Sequence, residues 1–100
     1  MDIESINKKL IKYQKKCRDY GVNDTLWLIG ESSNTEVKII IPPVSATVPV
    51  LTIYKDENGY FHAVYFDDDC MEPVELTALR HKSVTRALDV SFDWIVSNIL

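Results

Sequence analysis

The sequence predicts an α+β fold: a four-stranded antiparallel meander sheet between an N-terminal and a C-terminal helix, α-β-β-β-β-α in order, with the helices packed on one face. Two observations carry this. Apolar residues recur at intervals of three and four near both ends of the chain, the period of one helical face; between them lie β-branched and aromatic runs separated by turn-forming residues. The chain has 100 residues, 46% hydrophobic and 26% charged, which is an ordinary globular balance and enough for one core. Residues 1–100 therefore read as a single domain.

In the first helix Ile3, Ile6, Leu10, Tyr13, Cys17 and Tyr20 share one face, Asp2 and Glu4 sit where the helix dipole favours anions, and Gly21 is placed to end it near residue 20. Thr25 to Ile29 and Glu36 to Ile41 read as a hairpin around Gly30-Glu31-Ser32-Ser33-Asn34, and Pro42-Pro43 ends the second strand. After a loop and Pro49, Val50 to Tyr54 forms the third strand. Asn58-Gly59 then turns the chain into the fourth, Tyr60 to Phe66. Val74 to Thr77, after Pro73, fits a short edge strand or an extended connection. Ser83 is a good N-cap for a closing helix over 84 to 99, with Val84, Ala87, Leu88, Ser91, Phe92, Ile95 and Ile99 on one face.

Strand alternation sets Val37, Ile39 and Ile41 on one face and Lys38 and Ile40 on the other. The fourth strand offers either Tyr60, His62, Val64 and Phe66 or Phe61, Ala63 and Tyr65 to the outer face, and both choices make that face apolar.

The longest apolar runs, Leu26 to Ile29 and Ile39 to Ile41, fall far short of the roughly 20 residues that a membrane span needs, and the acidic start is unlike a signal peptide. A soluble, cytoplasmic protein without membrane association is expected. Cys17 and Cys70 lack the spacing of a metal site or disulfide framework and read as reduced thiols, with Cys17 in the core. The net charge of −4 is unevenly spread: up to Arg18 there are six basic and two acidic residues, and from Asp19 onward five basic and thirteen acidic. The lysines of the first helix have no aromatic interleaving, and the rest of the chain repels phosphate, so direct nucleic-acid binding is not expected.

Asp67-Asp68-Asp69, with His62, His81 and Cys70, supplies metal-ligand atoms, yet consecutive carboxylates point in different directions. Neither a calcium-loop spacing nor a His-x-x-x-His pair is present. No nucleophile elbow surrounds Cys70 or Ser83, and Gly21, Gly30 and Gly59 all have cap or turn explanations rather than a phosphate-loop one. The expectation is a non-enzymatic protein with no cofactor, metal or catalytic residue. What remains is an acidic cluster: Asp56 and Glu57 in a turn, then Asp67, Asp68, Asp69, Glu72 and Glu75 after the aromatic strand. Concentrated carboxylates speed encounter with a basic partner and can take the place of a substrate phosphate.

In this layout, with an amphipathic leading helix, a meander ending near Asp67 and a closing helix through Ser83-Val84-Thr85-Arg86-Ala87-Leu88, the chain resembles the small immunity proteins that bacteria pair with contact-delivered or polymorphic toxins. Phage-encoded inhibitors of host defence nucleases share the logic. The resemblance implies a cytoplasmic antitoxin that binds one cognate toxin, often a nuclease. Taken with the acidic cluster, it makes Asp56, Glu57, Asp67, Asp68, Asp69, Glu72 and Glu75 the expected charged contacts and Tyr65 a neighbouring aromatic anchor. The alternative is an adaptor or homodimeric module that uses the aromatic sheet face.

Overall fold

The computed structural model of the protein describes residues 2–19, 27–41, 49–67, 72–76 and 81–98. Over these the chain is α+β, with helix α1 (Ile3–Asp19), strands β1 (Leu28–Ser32), β2 (Glu36–Ile40), β3 (Val50–Lys55), β4 (Phe61–Phe66) and β5 (Val74–Glu75), and helix α2 (Val84–Asn98). All strands join one antiparallel sheet in the order β1-β2-β3-β4-β5. The four expected strands are joined by a fifth, the edge-strand alternative for the segment after Pro73. The added one is Val74–Glu75, which pairs with Tyr65 and Val64 and is followed by a hydrogen bond from the Leu76 N–H to the Ala63 carbonyl at 2.8 Å. Two residues are too few for alternation alone to choose between an edge strand and an extended connection.

The first strand also begins later than expected. Gly30 lies within it rather than in a turn, because the pairing register slips between Ile29 and Glu31, and such a bulge suits a residue with no side chain. A Cβ at Gly30 would stand 3.1 Å from Ile40 Cδ1. Ser33 makes the turn instead: its Oγ accepts the Glu36 N–H at 3.1 Å, and its own N–H donates to the Glu36 carbonyl at 2.7 Å. Thr25 and Leu26 lie outside the described residues.

Helix α1 buries Ile6, Leu10, Tyr13 and Cys17, the spacing expected. Asp2 caps it: one carboxylate oxygen accepts the Ser5 N–H at 3.1 Å and the other the Ser5 hydroxyl at 2.6 Å. Tyr20 and Gly21 lie outside the described residues, as does Ile99. Helix α2 buries Val84, Ala87, Leu88, Ser91, Phe92 and Ile95. The two helices meet where Tyr13 stacks on Phe92 with ring centroids 4.2 Å apart and Trp27 tilts against both. Above the stack, the Tyr13 hydroxyl donates to Asp89 at 2.7 Å and the Lys9 ammonium reaches both Asp89 oxygens at 3.0 Å. Burial raises the Asp89 carboxyl, but bonds from Tyr13 and Lys9 outweigh it and leave the group below its ordinary value.

Val37, Ile39, Leu51, Ile53, Ala63 and Tyr65 share the inner sheet face by register and join the helix residues in one buried cluster. That assignment leaves the opposite face of the sheet without a covering layer among the described residues.

Candidate protein-binding surface

The pairing register arranges the outer face in three cross-strand rows. The first is Leu28, Ile40, Val50 and Phe66, directly opposite one another on β1 to β4. It is apolar throughout, with Leu28 52%, Phe66 42% and Ile40 39% exposed and Val50 half-buried. The second row is Glu31, Lys38, Thr52, Val64 and Glu75, with a carboxylate at each end of the sheet. Glu36, Tyr54 and His62 form the third. An apolar row beside carboxylates is unlike the alternating polar face of a solvated sheet.

Two hollows mark the β1–β2 end. One, of about 290 Å³, is lined by Gly30, Glu31, Lys38, Ile40 and Val50. The second, of about 210 Å³, is lined by Glu31, Ser32, Ser33, Glu36 and Lys38. Gly30 forms part of the wall of the first, and the Ile40 side chain approaches it so closely that a Cβ there would stand 3.1 Å from Ile40 Cδ1. The second is polar and carries two carboxylates against one ammonium, with Lys38 lying 3.8 Å from Glu31.

At the far end His62 stacks on Tyr54, with centroids 4.9 Å apart, while its Nε2 meets Asp56 Oδ2 at 2.7 Å and its Nδ1 lies 3.6 Å from Glu75 Oε1. The Asp56 bond, helped by Glu75 and opposed by burial, raises the imidazole above its ordinary value. The same bond, with backbone N–H groups donating to Asp56, lowers that carboxyl.

The expected contact residues divide sharply. Tyr65 is only 1% exposed, its ring tilts against Trp94, and its hydroxyl donates to Asp67, itself 9% exposed. These two belong to the interior, a correction to their expected place on a partner surface; Tyr65 falls on the inner face because it pairs with Leu51, which the core claims. Asp56 is half-buried and works within the turn, accepting the Asn58 and Tyr60 N–H groups at 2.8 and 3.0 Å. Glu57, Glu72 and Glu75 are exposed, and Asp68 and Asp69 lie outside the described residues.

An apolar outer face with Ile40, and Phe66 as one alternative, is what the sequence predicts; their meeting with Leu28 and Val50 in one row beside the Gly30 hollow is not. Ile40 is the visible signal, an isoleucine at an outward position of β2, but finding its neighbours requires the strand register. Among the described residues no group of three or more His, Cys, Asp or Glu is arranged to hold a metal ion, and no helix is long and apolar enough to cross a membrane. Comparison with family models, with curated proteins and with solved structures finds no match to this chain.

Proposed function

We propose that this protein is a non-enzymatic inhibitor of the immunity type, acting in the cytoplasm by binding and neutralising a cognate basic protein toxin. A nuclease is the kind of toxin whose phosphate-binding groove an acidic surface would fill. The observation that supports this reading best is the two-sided charge layout. The solvent side of α1 exposes Lys8, Lys12, Lys15, Lys16 and Arg18, whereas the outer sheet face and its edges carry Glu31, Glu36, Asp56, Glu57, Glu72 and Glu75. A basic partner is repelled by the first side and drawn to the second, which fixes its direction of approach.

Co-expression with the product of the adjacent reading frame tests the reading. Toxicity should be lost and the two should co-purify, with an association rate that falls steeply as salt rises from roughly 0.05 to 0.5 M. A salt-insensitive complex, or no complex, contradicts it.

The exposure of Leu28, Ile40 and Phe66 favours a second reading, a homodimer through the same face. Light scattering on the purified chain separates the two, because a stable dimer would occupy that face.

A further inference from the structure

Building on the inhibitor reading, we propose that the partner docks on the outer sheet face as a helix whose apolar stripe is flanked by Lys or Arg. The stripe lies along Leu28, Ile40, Val50 and Phe66, and the flanking cations reach the carboxylates beside that row. Four strands spaced about 4.8 Å apart make the row roughly 14 Å long. A helix rising about 1.5 Å per residue places apolar residues at i, i+3, i+7 and i+10 over roughly 15 Å, so the two lengths match.

The hollow beside Gly30 and Ile40 gives one apolar side chain of this helix a socket, the setting in which interface anchors concentrate their energy. One row away, roughly 7 Å along the strands, the polar hollow of Glu31, Ser32, Ser33 and Glu36 stands where a flanking cation would reach. Glu75 ends the same second row on the opposite edge of the sheet, so both ends of the docked helix pass near a carboxylate.

Charge argues against a second copy as the occupant: two outer faces would bring Glu31, Glu36, Asp56 and Glu75 of one chain toward the same carboxylates of the other.

Fluorescence titration of the full chain with synthetic helical peptides provides the test. The probe is a leucine–lysine peptide with leucines at three-and-four spacing; the controls are a leucine–glutamate peptide of the same spacing and a lysine–serine peptide without leucines. The first should bind and both controls should be weaker by about tenfold or more. The double variant Ile40→Ser with Phe66→Ser, at exposed positions that leave the core intact, should weaken the leucine–lysine peptide about tenfold. Gly30→Val, which crowds Ile40 at the wall of the hollow, should weaken it too, and Glu36→Lys should both weaken it and flatten its salt dependence. Lys12→Ser, on the far side, should not weaken it.

Equal binding of the leucine–glutamate peptide, indifference to the Ile40 and Phe66 changes, or no binding by the wild-type chain overturns the docking mode. If Glu72→Lys with Glu75→Lys abolishes binding while Ile40→Ser with Phe66→Ser does not, the docking site fails and the acidic-surface reading stands. Loss of co-purification with the adjacent product would instead overturn the inhibitor reading itself.

Discussion

His62 is the residue whose charge the fold most clearly sets. Three elements face its ring: Tyr54 from β3, Asp56 from the β3–β4 turn and Glu75 from β5. A group whose folded value is raised contributes stability that is complete below its unfolded value and is lost as pH rises through the folded one. For this imidazole the contribution is therefore full below about 6.5 and disappears above the raised value. Asp56 behaves oppositely, contributing above its ordinary carboxyl value and losing the contribution as acid is added through its lowered one. Thermal melts should show a fall in stability on the alkaline side of 6.5 that His62→Gln removes; an identical pH profile in the two proteins would contradict the pairing. Tyr13 makes a separate, simpler case. Replacing it with Phe keeps the ring stacked on Phe92 and removes only the bond to Asp89, at a cost of about 2 kcal/mol by chemical denaturation.

At the scale of elements, the glycines show what local sequence can and cannot tell. Gly59 reads as a turn residue from Asn58-Gly59 alone, and its φ of 83° bears this out. Gly59→Ala should therefore cost about 1–2 kcal/mol, because a Cβ is disfavoured in that region. Gly30 reads the same way and is something else, a bulge residue whose missing side chain lets Ile40 pack close against it. Gly30→Ala should cost less than Gly59→Ala, since the atom it meets is the far end of a flexible isoleucine; a larger cost would mean that the bulge itself had been lost. The helices were legible because the burial of Ile6, Leu10, Tyr13, Cys17, Val84, Leu88, Phe92 and Ile95 follows a 3.6-residue period that nothing in the tertiary structure overrides. Strand β5 was legible only as one of two alternatives, because its two residues are defined by their partners in β4 rather than by their own pattern. Tyr65 was misplaced for a related reason. Strand β4 is apolar on both faces, so only its register against β3 decides which aromatics turn inward.

Among the described residues the molecule is a sheet with two helices on one side and an open face on the other, and its charge follows that division. The basic residues are concentrated in the first 18 positions and the acidic ones after them, so wrapping α1 over the inner face turns a sequence asymmetry into a spatial one. This much of the candidate surface was present in the sequence as composition. So was the apolar character of the outer face, but not the row at its centre, because Leu28, Ile40, Val50 and Phe66 come from four separate strands and meet only through pairing. If the open face serves a partner rather than a second copy, light scattering should give the mass of one chain, 11.5 kDa, even at high protein concentration. The most direct test of the outer face as the binding surface is amide chemical-shift mapping of the labelled chain during titration with the leucine–lysine peptide. Shifts should concentrate at Leu28, Gly30, Glu31, Lys38, Ile40, Val50 and Phe66, with α1 unchanged; shifts confined to α1, or spread without preference for the outer sheet face, would rule that surface out.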